Sequence, residues 1–501
     1  MMHGAEKSDP VVVAMKPANK AAHLRTGAAA ERVEPRAGTE GNAGQDHTPR
    51  TQRRDSVSQG LDRVRQVARL RKKEKFTALM HHVSVEALRE AYLALKRRAA
   101  PGVDGVTWQD YEAELHSNLL ELHRRVQHGT YRALPVKRRF IAKQDGKLRP
   151  LGITALEDKI VQRAVGTVLS AVYEADFQGF SYGFRPGRSQ HDALDAISVG
   201  ITQARVNWIL DADIRSFFDK FDQTWLIKFL KHRIGDERVI RLVSKWLKAG
   251  VVDQGTWSQS ETGTPQGAVI SPLLANVFLH YVYDLWAVQW RKRQAKGQMI
   301  TVRYADDVVV GFELEADARA FWDAMRERFK QFSLELHEDK TRLLEFGRFA
   351  AARRARRGQG KPETFKFLGF IFICGKTRRG AYQLQRKTRS DRMRVRLQDI
   401  KAKLRERMHD SIPEQGKWLR AVVSGYFAYH AVPTNYRALA SFRRNVTDLW
   451  RRTLRRRSQK DKMTLKRMDD LANSWLPRPR ILHPWPSERF AVNHPRWEPS
   501  A

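Results

Sequence analysis

The stretch Ile300-Thr-Val-Arg-Tyr-Ala-Asp-Asp-Val-Val-Val-Gly-Phe312 constrains this chain more than any other. Ile300, Val302 and Tyr304 alternate with polar residues, Val308 to Val310 form a second β-branched run, and two carboxylates, Asp306 and Asp307, stand between them. Alternation followed by a β-branched run reads as two short strands joined by a tight turn with the carboxylates at its tip. Such a hairpin commits the chain to a sheet. It also sets two negative charges beside apolar strands, which is costly unless something cationic binds them, and a divalent metal is the simplest candidate. An Asp pair alone is common turn chemistry. A second one, Asp469-Asp470, lies in a basic helical stretch where a solvated face accounts for it.

A third carboxylate in a matching setting changes the balance. Trp208-Ile-Leu-Asp-Ala-Asp-Ile-Arg-Ser-Phe-Phe-Asp219 is another apolar strand, carrying Asp211 and Asp213, that turns into a Phe-rich segment. Asp213 precedes Asp306 by 93 residues, so only a folded domain brings them together. Three carboxylates on neighbouring strand ends suit two Mg²⁺ ions, which prefer hard oxygen ligands and keep positions for phosphate oxygens. Two such ions about 4 Å apart serve an in-line phosphoryl transfer.

The order of segments resembles the reverse-transcriptase family, and within it the group II intron type. Phe140-Ile-Ala-Lys-Gln-Asp-Gly-Lys-Leu-Arg-Pro-Leu-Gly-Ile153 is similar to the first fingers motif and Ser181-Tyr-Gly-Phe-Arg-Pro-Gly-Arg-Ser189 to the second. The Asp213 segment matches the third, Gly263-Thr-Pro-Gln-Gly-Ala-Val-Ile-Ser-Pro-Leu-Leu-Ala-Asn276 the fourth, and Tyr304-Ala-Asp-Asp307 the metal-binding signature. Leu336-His-Glu-Asp-Lys-Thr341 and Phe365-Lys-Phe-Leu-Gly-Phe370 resemble the last two. The resemblance implies Asp213, Asp306 and Asp307 as catalytic metal ligands, with Ile214 among the metal-binding positions.

Individual residues carry further expectations. Asp145-Gly146 between extended runs reads as a hairpin turn that brings Lys143 and Arg149 near one another. Two cations there suit a triphosphate, and the resemblance puts both on triphosphate-binding positions. Pro265-Gln-Gly267 reads as a tight loop leading into a helix with Ser271 as cap and Pro272 in its first turn. Gly267 would let backbone approach a ligand closely, and in similar enzymes the Gln266 position supports the nucleotide. An aromatic five residues after the first catalytic Asp blocks a ribose 2′-hydroxyl in the family; that spacing points to Phe218, with Phe217 as the alternative. Asp211 is expected in a supporting role, and Lys340 as either a motif lysine or a structural ion pair.

Composition points the same way. The 501 residues hold 92 Lys and Arg against 55 Asp and Glu, a formal +37, which implies a polyanionic partner. No run of about 18 apolar residues and no signal peptide appears, so a soluble, cytoplasmic protein, bacterial by resemblance, is expected, with no membrane partner. Cys374 is the single cysteine. It permits no intramolecular disulfide and no cysteine-pair zinc site, so no His-Asn-His endonuclease domain is expected, with His483 and His494 as unremarkable tail residues.

Residues 1–60, poor in aromatic residues, read as disordered, followed by a basic helical stretch over 61–76. Residues 61–375 are expected to form fingers and palm, 376–480 a thumb/maturase domain, and 481–501 a tail. The basic segment from Arg348 to Lys361 reads as an exposed loop. Between 386 and 480 there are 26 Lys and Arg against 9 Asp and Glu. Leu397, Ile400, Leu404 and Met408 recur there at helical spacing. Arg451, Arg452, Arg455, Arg456 and Arg457 end a second helix and are the candidate RNA-binding residues. Ser424-Gly-Tyr-Phe-Ala-Tyr-His-Ala-Val-Pro-Thr-Asn435 resembles the maturase domain. The expected fold class is α+β, a right-hand polymerase with an antiparallel palm sheet and a helical C-terminal domain. The resemblance implies an RNA-directed DNA polymerase using two Mg²⁺ ions and deoxynucleoside triphosphates. Its partners would be group II intron RNA, an RNA template and a DNA primer or target. A maturase with little polymerase activity, or a retron or defence-type enzyme, are the alternatives.

Overall fold

The computed structural model describes residues 49–142, 148–253, 255–258, 262–264, 267–457 and 463–493. Among them the strands in chain order are β1 (Val136–Ala142), β2 (Leu148–Ile153), β3 (Trp208–Asp213), β4 (Val251–Asp253), β5 (Thr256–Ser258), β6 (Met299–Tyr304), β7 (Asp307–Phe312), β8 (Arg342–Glu345), β9 (Phe365–Phe367), β10 (Phe370–Lys376) and β11 (Tyr382–Thr388).

The hairpin read from residues 300–312 forms as β6 and β7, paired antiparallel from Met299 opposite Phe312 to Tyr304 opposite Asp307. β3 joins the other edge of β7, and β8 pairs with β3, giving the order β6-β7-β3-β8. Successive side chains leave a strand on opposite faces. Leu210, Ala212, Val308 and Val310 therefore enter one core with the helices Leu156–Tyr173 and Ser271–Leu279. Ile209, Val309, Ile300, Val302 and Leu344 enter a second core with the helix Gln190–Gln203, β9 and β10. Burial on both faces explains why Val308 to Val310 is uniformly apolar. Each fully buried Val or Ile contributes about 1.5–3 kcal/mol.

A second sheet, β2-β1-β4-β5, is antiparallel except where β1 runs parallel to β4. The third sheet is β11-β10-β9. The helices Ser390–Glu406, Ile412–His430, Tyr436–Arg455 and Leu465–Trp475 bury Ile400, Leu404, Phe427, Phe442 and Trp450 in a third core, so a mixed α/β body is followed by a helical region. No described helix is long and apolar enough to cross a membrane.

Four expectations change. Thr301 and Arg303, read as polar alternates, are 3% and 0% exposed, because helices cover that face of β6 as well. Helix starts at Pro49, inside the stretch read as disordered, and ends at Leu70. Arg348 to Lys361 is not bare loop: Ala350–Arg356 is helical, with Arg353 tied to the buried Glu345 at 3.0 Å. The tail docks on the body. Its helix Pro486–Asn493 packs along Gln190–Gln203 with Phe490 2% exposed, and the His483 ring stacks on His191 at 4.1 Å. His494 and the rest of the tail lie outside the described residues.

Candidate active site

The sheet register assembles the carboxylates. Asp213, last residue of β3, pairs directly with Asp307, first residue of β7, and Asp307 also pairs with Tyr304 across the hairpin. Residues opposed in this way lie with Cα atoms about 4.5–5.5 Å apart. Ala305 and Asp306 close the turn, with Ala305 at φ 57°, the left-handed region. Residues 335–341 wrap the other side of Asp213. The His337 amide donates to the Asp213 carbonyl at 2.8 Å, the Arg215 amide to the Glu335 carbonyl at 2.8 Å, and Lys340 Nζ sits 2.8 Å from Asp213 Oδ2. The Lys340 ion pair is thus present. Ile214 bridges Leu336 and buries its side chain, so only its main chain is free to contribute.

Electrostatics mark the same spot. Asp307 opens onto the cleft, yet desolvation by the surrounding protein, then Asp306, Asp213 and Asp211, push its carboxyl up to about 7, with Arg392 opposing. Asp211 is raised to about 6, chiefly by burial, against the pull of Arg342. Carboxylates that raise one another's pKa want a cation between them. An all-oxygen donor set fits Mg²⁺. Lys340 donates to Asp213, and no group of three His, Cys, Asp or Glu side chains among the described residues is gathered so as to hold a metal ion. The fit therefore rests on donor chemistry and register.

Around the carboxylates, Phe217 and Phe218 separate. Phe217 is 2% exposed among Phe221 and Phe278, whereas Phe218 is only half-buried. The Thr264 amide donates to the Phe218 carbonyl at 2.8 Å, and a Cβ on Gly263 would stand 2.2 Å from that oxygen, so residues 263–264 lie against this turn. Gly267 has φ 110°, and its Cβ would meet the Gly152 carbonyl at 2.5 Å; its backbone approaches β2 rather than open space. Ser271 is the first residue of its helix, not a cap, and its hydroxyl bonds Thr264 Oγ1 at 2.8 Å. Arg149 pairs with Ile141 in the β1–β2 ladder. Lys143, the Asp145-Gly146 turn and Gln266 lie outside the described residues.

Two arginines escaped the sequence reading. Arg392, from the C-terminal helices, acts on Asp307, and no sequence spacing signals that. Arg303 lies beneath the turn, bonded to the Ala305 carbonyl at 2.9 Å; a single charged residue in an otherwise uncharged strand was the available signal. The candidate RNA-binding arginines lie at the end of the helix Tyr436–Arg455 and just beyond it. Arg451 and Arg452 pair with Asp448 at 3.4 and 2.7 Å, Arg455 and Arg456 are exposed, and Arg457 donates to the Asp410 carbonyl.

The sheet thus carries a carboxylate-tipped hairpin beside a third carboxylate. The family model for reverse transcriptase (RNA-dependent DNA polymerase) matches residues 141–372. Protein YkfC of Escherichia coli is 36% identical over 286 residues, 50% of this chain and 74% of that protein. Group II intron-encoded protein LtrA of Lactococcus lactis is 34% identical over 219 residues, 43% of this chain and 36% of its own length. A 91 kDa protein in the cob intron of Schizosaccharomyces pombe is 41% identical over 146 residues, 29% of this chain and 18% of its own. Residues 141–372 belong to the reverse transcriptase family, and group II intron-encoded proteins are among the relatives of the chain. The chain spans most of YkfC but little more than a third of LtrA.

Proposed function

We propose that this chain polymerises DNA on an RNA template and also binds its group II intron RNA to assist splicing and mobility. The observation that carries the polymerase reading is the register of Asp213 against Asp307 inside the segment matched to reverse transcriptases. Residues 61–375 would form fingers and palm, and 376–480 the thumb/maturase domain. We place this work in a bacterial cytoplasm, a reading that the likeness to the two bacterial proteins supports.

Asp213, Asp306 and Asp307, with the Ile214 main chain beside them, would hold two Mg²⁺ ions. When bound, such ions stabilise charge on the attacking and leaving oxygens of an in-line displacement. The protein's own part is to present the carboxylates on a rigid sheet, to orient the primer 3′-hydroxyl and to hold the deoxynucleotide. Lys143 and Arg149 would bind the triphosphate, Gln266 would support the bound nucleotide, and Phe218 would close the space beside C2′. Lys340 would release Asp213 as cations arrive, since ammonium and metal compete for one carboxylate. Arg451, Arg452, Arg455, Arg456 and Arg457 would contact RNA phosphates, an assignment that the exposure of Arg455 and Arg456 supports.

Primer extension on an RNA template with Mg²⁺ tests this, comparing wild type with Asp306→Ala/Asp307→Ala while structured-RNA binding is recorded in parallel. Extension should vanish in the variant and RNA binding survive. A folded wild type that binds RNA but never extends would leave only the maturase role.

A further inference from the structure

We propose that Arg303 is a positioning residue for the Asp306-Asp307 turn: anchored by Asp284, it holds the Ala305 carbonyl and so sets where the two carboxylates stand. The proposal deepens the polymerase reading and rests on it.

The anchor is a fork on a fork. Arg303 Nε donates to Asp284 Oδ1 at 2.7 Å and Nη2 to Oδ2 at 2.6 Å, with both side chains 0% exposed. A buried ion pair stabilises a fold weakly, because desolving two charges offsets most of their attraction. Bidentate geometry instead supplies direction. The remaining guanidinium nitrogen, Nη1, spends that direction on the Ala305 carbonyl at 2.9 Å and on Asn276 Oδ1 at 3.0 Å.

What it grips is strained. Ala305 sits at φ 57°, a conformation that costs an L-residue with a Cβ roughly 1–2 kcal/mol. Strain of this kind persists where surroundings over-determine it, and it collects at active sites. The surroundings here come from three distant segments. The Tyr182 amide donates to the Arg303 carbonyl at 2.8 Å and the Arg303 amide to the Phe180 carbonyl at 2.9 Å. A Cβ on Gly183 would stand 2.4 Å from the Ala305 nitrogen, so this segment lies directly on the turn. Asn276 Nδ2 ties that segment back by donating to the Gly183 carbonyl at 2.7 Å.

Asp284 reaches Arg303 from a π-helical turn, His280–Asp284, between the helices Ser271–Leu279 and Leu285–Arg293. A π-turn is uncommon and frequent at functional sites. Its neighbouring residue Tyr283 bonds Thr301 Oγ1 at 2.7 Å, so two consecutive π-turn residues hold the two buried polar residues of β6. Ordinary core packing of a strand needs no such polar pair on its covered face.

The test compares full-length wild type with Arg303→Lys, which keeps a charge for Asp284 but lacks the planar fork needed to reach both partners. Five quantities are read: kcat and KM for a deoxynucleotide in primer extension, Mn²⁺ affinity of the free protein by electron paramagnetic resonance, melting temperature, and RNA affinity. A displaced turn should lower kcat by about tenfold to a hundredfold, the scale expected for an ångström of misplacement. Mn²⁺ binding should weaken, while KM and RNA affinity stay near wild type. Adding Ala305→Gly, which relieves the strain at that position, should recover part of kcat and Mn²⁺ affinity without recovering melting temperature. Wild-type kcat and Mn²⁺ affinity in folded Arg303→Lys would overturn the proposal, as would losses that track melting alone and ignore Ala305→Gly. Should Arg303→Lys fail to fold, Asn276→Ala keeps the Arg303–Asp284 pair and removes one shared tether, and unchanged kcat and Mn²⁺ affinity there would overturn it equally. A wild type that binds Mn²⁺ but extends nothing defeats the polymerase reading and leaves the Mn²⁺ comparison to decide the positioning.

Discussion

Phe217 and Phe218 are chemically identical neighbours that the fold sends to different places. Truncating Phe217, sealed among Phe221 and Phe278, should cost about 3–5 kcal/mol in denaturant unfolding. Truncating half-buried Phe218 should cost less stability but relax sugar choice, raising kcat/KM for ribonucleotides relative to deoxynucleotides by about tenfold or more. The reverse pattern would make Phe217 the discriminating ring. Spacing pointed to Phe218, and only the packing of its neighbour separates the two. A second residue-scale prediction concerns Asp158, 2% exposed, which accepts from the Tyr131 hydroxyl and the Leu134 amide. Burial pushes its carboxyl up to about 6 despite those bonds. The native state therefore keeps this proton longer than the unfolded chain, whose Asp titrates near about 3.9. Stability from that proton is complete below about pH 4 and is lost as pH rises through about 6. Relative to wild type, Asp158→Asn should gain up to roughly 3 kcal/mol between pH 4 and 7 in chemical denaturation. A pH-independent difference would show that Asp158 does not titrate in that window.

At the scale of elements, the helix Pro486–Asn493 is the piece whose role changed most between sequence and structure. Its Arg489 Nε donates to Asp195 Oδ2 at 2.6 Å, while Arg386 of β11 donates to Oδ1 at 2.9 Å. His483 bonds the Ala428 carbonyl at 2.7 Å, and burial pushes the His191 imidazole beneath it down to about 2, so that ring is neutral. One carboxylate thus clips three elements: a body helix, the third sheet and the chain's last described helix. Arg489→Ala leaves buried Asp195 with a single guanidinium, and loss of one partner from a buried pair costs about 3–5 kcal/mol. Hydrogen exchange should quicken across residues 481–493 before it does in β3 or β7. Uniform quickening would mean the tail is part of one cooperative unit.

For the whole molecule the dominant quantity is the formal charge of +37. Nearly half of that excess lies between residues 386 and 480, C-terminal to the strands that carry the carboxylates. If RNA is held there, replacing Arg452, Arg455 and Arg456 by Glu should weaken RNA binding. The slope of log affinity against log salt should flatten by about 2, since each phosphate contact contributes roughly 0.7 on single strands. Extension on a short primer–template should persist in that variant, because none of those arginines is among the charges acting on Asp307. An unchanged salt slope would move the RNA surface elsewhere.

By itself the sequence determined the local grammar of this protein: a hairpin at 299–312, a strand ending in Asp213, helices where apolar residues recur every three or four positions, and a basic C-terminal region. These are local because backbone sterics and hydrophobic period act over a few residues. The pairing of Asp213 with Asp307 was legible once the motif order was recognised, since both sit at strand ends of one sheet. The tertiary structure alone decided what lies across long separations. It covered both faces of β6 and so buried Arg303, set Asp284 against it, brought Arg392 near Asp307, and docked Arg489 on Asp195 across 294 residues. Partners for buried charges are chosen by where whole layers come to rest, and no spacing in the chain encodes that choice.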